Sequence, residues 1–207
     1  MTKLLYIKAS PRGADSKSSA VADSYLAKLR ANTPDLEVDV LDLSTERLPD
    51  YDGNKVAAKI STMLGESHEG AQKTAWDEIV EIAERFTAAD IYLIATPMWN
   101  GSIPYKLKQY IDLIHQPGLL WGLDPEKGYF GLLEGKRAVL ALTSGAFGPD
   151  MPSPAFGVDF QSTYLKFWLG QAGVSDVAEI RFQPTMLTAD PDAGFAAAVA
   201  VAEAIAG

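Results

Sequence analysis

The sequence predicts a doubly wound α/β fold, in which a five-stranded parallel sheet of order 2-1-3-4-5 has helices on both faces. Short apolar runs alternate along the chain with longer stretches of helical periodicity. The first, third and fourth runs are almost continuously apolar, as expected for parallel strands that are covered on both faces. The length of 207 residues, of which 47% are hydrophobic, suits a single domain over residues 1–207 with a sizeable core.

Five segments carry the strand pattern, and the last of them alternates enough to suit an edge strand. In chain order they are Leu4–Ile7, Val38–Leu43, Ile91–Ala95, Ala138–Leu142 and Val177–Phe182. Five further segments place apolar residues at helical spacing: Ser18–Arg30, Thr74–Phe86, Tyr105–Ile114, Phe160–Gln171 and Gly194–Ala206. Strands that alternate with helices build right-handed βαβ units.

Two connections, Pro49–Gln72 and Gln116–Gly135, are longer than connections in a compact domain usually are. The second contains Trp121, Tyr129 and Phe130 among glycines. A long aromatic connection beside a sheet edge is expected to cover another surface. Two interpretations remain open for it, a substrate lid and a subunit interface.

Composition excludes several classes of function. The formal net charge of -9 argues against nucleic-acid binding, which requires clustered Lys and Arg. The absence of cysteine removes disulfides, thiolate catalysis and cysteine metal sites, and His68 and His115 lack the spacing of metal ligands. The N-terminal apolar run is too short for a signal peptide, and no run reaches the ~18 residues of a membrane helix. A cytoplasmic protein without a metal or a membrane span is expected.

The turn ASPRGADSKS, which follows the first strand, can bind an anion. In open α/β sheets, ligands bind at the carboxyl ends of the strands near the switch point, here the loops after strands 1, 3 and 4. Ser16 or Ser18 can cap the next helix, whose free amides and dipole favour an anion. Ser10 adds a hydroxyl, and Arg12 or Lys17 adds a positive charge. The alternative is an ordinary helix cap within a polar turn.

The loops after strands 3 and 4 can form a slot for a flat ring. The first contains Met98, Trp99, Asn100 and Gly101, an apolar wall with an amide side chain and a glycine that permits close approach. The second, TSGAFGP, can direct backbone amides at a ligand and offers Phe147 as an apolar surface. The alternative is that Trp99 packs under a neighbouring loop. A phosphate site beside a planar slot predicts FMN.

Three segments carry a resemblance to a known family: the serine turn, PMWNGSIPYKLKQYIDL at Pro97–Leu113 and ALTSGAFG at Ala141–Gly148. They resemble the FMN-dependent NADH-azoreductases, which are homodimeric, flavodoxin-like NAD(P)H:quinone oxidoreductases. Strand spacing agrees over most of the chain. One segment departs from the family, whose members often have Ser-Arg-Gly-Gly where this chain has Ser-Gly-Ala-Phe.

The resemblance implies a role for each loop. The phosphate would be bound by Ser10, Ser16, Lys17 and Ser18. The flavin ring would be lined by Pro97, Met98, Trp99, Asn100 and Gly101, and its pyrimidine side held by Ser144, Gly145, Ala146 and Phe147. A pocket shared by two subunits would place aromatic residues over the flavin and the substrate: Trp121, Tyr129 or Phe160.

The implied activity is that of an enzyme without a catalytic side chain, because the flavin carries the chemistry. NADH or NADPH would pass a hydride to FMN, and a quinone or an aromatic azo compound would then accept two electrons in a ping-pong cycle. One alternative is an electron-carrier or regulatory flavoprotein of the same fold that has no small-molecule acceptor. A second alternative is a phosphate-binding or interaction module without flavin.

Overall fold

The computed structural model describes residues 1–207. It consists of a parallel sheet between two layers of helices, with a small separate hairpin. The strands are β1 (Thr2–Lys8), β2 (Leu36–Asp42), β3 (Ile91–Pro97), β4 (Trp121–Asp124), β5 (Gly128–Gly131), β6 (Arg137–Thr143) and β7 (Asp176–Phe182). The helices are α1 (Lys17–Asn32), α2 (Gly53–Leu64), α3 (Gly70–Thr87), α4 (Tyr105–Ile114), α5 (Ser162–Ala172) and α6 (Pro191–Ala206).

The central sheet has the order β2-β1-β3-β6-β7, and all of its neighbouring strands are parallel. The predicted order, 2-1-3-4-5, counted only five strands. Its labels differ from those of the structure because β4 and β5 form a separate antiparallel hairpin between β3 and β6. The order of connections reverses beside β1, so the loops after β1 and β3 diverge there and leave a crevice at the carboxyl edge.

The side chains of β1 show how the sheet separates two cores. Leu5 and Ile7 belong to a core with α3, α4 and α5, whereas Leu4 and Tyr6 belong to a core with α1 and α6. Burial on both faces explains why the strand reads as a continuous apolar run. None of the helices combines the length and the apolar character that crossing a bilayer requires.

The connection Pro49–Gln72 is not a loop, because it contains α2. Asp52 caps this helix by accepting a hydrogen bond from the Lys55 amide at 3.0 Å. Gly65 ends it in the left-handed region, with φ of 73°. The other long connection, Gln116–Gly135, contains the β4–β5 hairpin, so both segments have more regular structure than the sequence pattern indicated.

Candidate functional site

A cleft of about 240 Å³ opens at the carboxyl ends of β1, β3, β6 and β7. It lies beside the reversal in strand order, the position at which open α/β sheets bind ligands. The residues that line it are Ser10, Arg12, Ser16, Lys17, Ser18, Pro97, Met98, Trp99, Thr143, Ser144, Gly145, Thr185 and Met186.

Serine hydroxyls and the N-terminus of α1 form one end of the cleft. The Ser16 Oγ caps α1 by accepting a hydrogen bond from the Ser19 amide at 3.2 Å. The Ser16 and Ser18 hydroxyls lie 3.2 Å apart, and both side chains are buried. Ser10 is also buried, and its Oγ accepts from the Arg12 amide at 3.4 Å. Free helix amides and a cluster of hydroxyl donors suit a phosphate.

Two cations stand beside these hydroxyls, and neither forms a salt bridge with a carboxylate. The Lys17 Nζ donates to the Thr185 carbonyl at 3.3 Å and lies 5.4 Å from the centre of the Phe182 ring. Arg12 is exposed at the rim. Because no Asp or Glu lines the cleft, its electrostatic character is positive in a chain whose net charge is -9.

A tight turn presents Trp99 to the solvent side of the cleft. Trp99 and Ser102 exchange backbone hydrogen bonds at 2.8 and 3.0 Å around Asn100 and Gly101, whose φ angles are 50° and 82°. Two successive positive φ angles define a type I′ turn, for which Asn-Gly is the favoured pair. The Phe160 amide donates to the Gly101 carbonyl at 3.1 Å, so this turn is tied to the segment before α5. Trp99 remains 42% exposed.

The loop after β6 is joined to the loop after β7. The Thr185 amide donates to the Ser144 carbonyl at 2.8 Å, and the Met186 amide donates to the Gly145 carbonyl at 2.9 Å. The Ser144 hydroxyl donates to the Phe147 carbonyl, which closes the β6 loop on itself. The β7 loop is therefore a fourth wall of the cleft.

A partly buried polar network connects residues at the ends of β3 and β7. The Gln161 side-chain amide donates to the Thr96 carbonyl at the end of β3 at 3.0 Å. The Gln161 backbone amide donates to Asp159, which also accepts from Arg181 on β7 at 3.0 Å. Burial alone would raise the pKa of Asp159, but hydrogen bonds from Ser162 and Arg181 hold it below its ordinary value. These bonds link the end of β3 to β7 through the segment before α5.

The structure brings most of the predicted cofactor residues into the cleft. Those that line it are Ser10, Ser16, Lys17, Ser18, Pro97, Met98, Trp99, Ser144 and Gly145. Those that do not line it are Asn100, Gly101, Ala146 and Phe147. Thr185 and Met186 were missed, although the carboxyl end of every parallel strand faces the same edge and the loop after the fifth strand could have been included.

Trp121 and Tyr129 lie in a second pocket, of about 270 Å³, with Lys59, His115 and Gln171. The two aromatic rings pack edge to face with centroids 5.2 Å apart. Burial and the nearby Lys59 ammonium lower the pKa of His115 to about 4, and burial lowers the pKa of Lys59. This pocket shares no lining residue with the cleft. One chain therefore does not place Trp121 or Tyr129 over its own cleft.

The sequence as a whole matches a family model described as a flavodoxin-like fold over residues 2–206. The chain is 48% identical to the FMN-dependent NADH:quinone oxidoreductase of Ruegeria pomeroyi over 200 residues, which cover 97% of this chain and 98% of the relative. It is 42% identical to FMN-dependent NADH:quinone oxidoreductase 1 of Bradyrhizobium diazoefficiens over 192 residues, or 92% of this chain and 91% of the relative.

Solved structures give the same result. An FMN-dependent NADH-azoreductase from Bacillus anthracis, in complex with FMN, matches with a TM-score of 0.86 and 26% identity, covering 100% of this chain and 98% of that one. An azoreductase from another strain of the same species matches in fold, with a TM-score of 0.89, 24% identity and coverage of 100% and 99%. The chain belongs to the flavodoxin-like family of FMN-dependent NADH:quinone oxidoreductases.

Proposed function

We propose that this chain, as one domain over residues 1–207, is an FMN-dependent NADH:quinone oxidoreductase that also reduces aromatic azo compounds. One observation carries the proposal: an anion-binding turn and an apolar slot meet in a single cleft at the carboxyl edge of the sheet. The names of its relatives support both the cofactor and the reaction.

The serine end of the cleft fits the FMN phosphate. Ser10, Ser16 and Ser18 are buried and line the same cleft, the Ser16 and Ser18 hydroxyls lie 3.2 Å apart, and no carboxylate lines the cleft. Arg12 and Lys17 supply positive charge without a counter-ion. A phosphate dianion would accept hydrogen bonds from the hydroxyls and the first amides of α1, and it would be stabilised by the helix dipole.

The opposite end of the cleft fits a flat ring. Pro97, Met98 and Trp99 form an apolar wall at the end of β3, and Gly145 approaches from the end of β6. A Cβ on Gly145 would lie 3.3 Å from the Met186 sulfur, so glycine leaves room at this wall. When FMN is bound it supplies two-electron hydride chemistry between NADH and the acceptor, and the chain binds it, orients it and limits the access of water.

The predicted residues outside the cleft lining are assigned a supporting role in this proposal. The positive φ angles of Asn100 and Gly101 set the turn that orients Trp99. The Phe147 carbonyl accepts from the Ser144 hydroxyl and shapes the β6 loop. Direct contacts of Asn100, Gly101, Ala146 and Phe147 with the ring remain a prediction.

We further propose that the active form is a homodimer with pockets shared between subunits. Trp121 and Tyr129 lie away from the cleft of their own chain, so they can serve a flavin only if it belongs to a second copy. Tyr129 is 60% exposed and can contact that flavin directly, whereas Trp121 is buried and supports the Tyr129 ring from within the chain. Phe160 is 59% exposed and lies against the Gly101 turn, with its ring 3.8 Å from where a Gly101 Cβ would be. It is placed to meet a substrate at the cleft rim.

Purification and steady-state kinetics test the proposed function. We expect a yellow protein that releases FMN on denaturation and oxidises NADH with a quinone when no other protein is present. Because one cleft serves donor and acceptor in turn, double-reciprocal plots should give parallel lines. Failure to bind FMN would support the phosphate-binding module. FMN binding without NADH-dependent quinone reduction would support the electron carrier or regulatory flavoprotein.

A further inference from the structure

A second groove, of about 100 Å³, adjoins the cleft on the other side of Trp99. It lies over the carboxyl ends of β1 and β2 and the first turn of α4. The residues that form most of its lining are Pro11, Leu43, Ser44, Trp99, Tyr105 and Lys106. Trp99 is common to the groove and the cleft, and Pro11 is followed in the chain by Arg12 of the cleft. The two depressions are therefore contiguous.

The chemistry of the groove suits an aromatic anion. Trp99 and Tyr105 are 42% and 72% exposed, and the groove floor includes the fully buried Leu43. An exposed tryptophan and tyrosine around a groove offer faces on which a planar base can stack. Both residues line the groove and keep exposed surface there, so each ring is accessible to a ligand.

The charge of the groove favours a phosphate next to that base. Lys106 lines the groove and takes part in no salt bridge, and no Asp or Glu lines it. Tyr105 and Lys106 are the first two residues of α4, a helix of 10 residues, so the positive end of its dipole also faces this region. Arg12 adds a further cation from the adjoining cleft.

We propose that this groove binds the adenine nucleotide half of NADH. This inference rests on the proposed function, because the nicotinamide ring must reach the flavin slot that Met98 and Trp99 line. The remainder of the dinucleotide then extends past Trp99 into the adjoining groove. Adenine stacks on Tyr105 and Trp99, and the Lys106 ammonium attracts the pyrophosphate.

The test compares NADH with reduced nicotinamide mononucleotide, a donor that lacks the adenine half. We expect Tyr105→Ala and Lys106→Ala each to raise KM for NADH about 5- to 20-fold, the usual size of one lost base stack or phosphate contact, with kcat unchanged. Tyr105→Ala should not alter the kinetics with reduced nicotinamide mononucleotide, which has no adenine to stack, whereas Lys106→Ala should have a smaller effect with it than with NADH, because the truncated donor keeps one of the two phosphates. Neither change should alter the affinity for FMN. Wild-type kcat/KM should be lower with the truncated donor than with NADH.

Conservative variants and a distant lysine serve as controls. Tyr105→Phe keeps the ring and Lys106→Arg keeps the charge, so both should retain wild-type KM for NADH. Lys73→Ala, which removes an exposed ion pair with Asp77 on α3, should have no effect. An equal effect of Tyr105→Ala on both donors, or no effect of either substitution on KM for NADH, would overturn the groove assignment while leaving the flavin enzyme intact. A wild-type protein that binds no FMN or oxidises no NADH would instead overturn the proposed function, and the groove assignment with it.

Discussion

The Ser18 hydroxyl is a sensitive probe of the phosphate end, because its side chain is 1% exposed and its only hydrogen-bond partner is Ser16. We expect Ser18→Ala to weaken FMN binding by about 1 kcal/mol, roughly fivefold, since one hydrogen bond to the phosphate is lost. The loss should be larger if that bond is charge-assisted. Titration of the apoprotein with FMN, followed by flavin fluorescence, measures the change.

Substitutions of Ser16, the N-cap of α1, and of Ser24 within this helix distinguish an effect on FMN affinity from an effect on folding stability. Ser16→Ala should lower both FMN affinity and the free energy of unfolding, because Ser16 also caps α1. Ser24→Ala removes an exposed hydroxyl that bonds only to the Ala20 carbonyl, so FMN affinity should not change. An Ser16→Ala/Ser18→Ala double variant with wild-type FMN affinity would show that the turn does not hold the phosphate.

His115 makes folding stability depend on pH, because burial and Lys59 lower its pKa to about 4 in the folded chain. The unfolded chain takes up this proton near the ordinary value of 6.5. Between those values the unfolded state binds more protons, so stability falls as the pH drops from about 6.5 to about 4. Above about pH 7 the imidazole is neutral in both states and makes no such contribution.

Replacing His115 by leucine should remove that part of the acid sensitivity. Between pH 7 and about 4.5, the free energy of unfolding of wild type should fall by about 2 kcal/mol more than that of His115→Leu, after allowance for partial exposure. Urea denaturation at the two pH values measures both. Because carboxylate titration is common to the two proteins, it cancels in the difference. An equal fall in both proteins would show that His115 titrates normally.

At the scale of the elements, burial decides what the sequence could predict. Strands β1, β3 and β6 have continuous apolar runs because they are buried on both faces, whereas the edge strands β2 and β7 have more exposed positions and weaker patterns. Helix α2 was missed for the opposite reason. Its buried positions are Lys55, Ala58 and Ser61, whereas Val56 and Ile60 on the same helix are 41% and 51% exposed. The large apolar residues of this helix therefore do not lie on the side that packs against the rest of the domain.

The cleft was predictable only as far as the fold placed its loops. The turns after β1, β3 and β6 follow from the switch-point rule, which any doubly wound sheet obeys. Thr185 and Met186 enter the cleft through hydrogen bonds to the Ser144 and Gly145 carbonyls, and sequence periodicity does not encode such loop-to-loop pairing. The separation of Trp121 from the cleft likewise depends on how the β4–β5 hairpin folds back.

At the scale of the molecule, the exposed apolar surface supports the homodimer. Helix α2 turns Val56, Ile60 and Met63 outward, and the hairpin exposes Tyr129 and Phe130. Both elements border the pocket that contains Lys59 and Trp121. Monomeric proteins rarely expose so many large apolar side chains on neighbouring elements. A second copy with two-fold symmetry would cover the same patch on both chains.

Sedimentation equilibrium should therefore give twice the chain mass, and a monomer at micromolar concentration would contradict the proposal.

Mixed dimers test whether the hairpin of one subunit serves the cleft of the other. One chain carries Trp121→Ala/Tyr129→Ala, and the second carries Ser16→Ala/Ser18→Ala, so each homodimer has impaired sites. In a mixed dimer, the intact cleft of the first chain meets the intact hairpin of the second. Random pairing then restores about one quarter of all sites. If the hairpin acts only on its own chain, every site keeps a defect. Coexpression should therefore raise NADH:quinone activity well above the mean of the two homodimers, whereas separately purified variants assayed immediately after mixing should show only that mean.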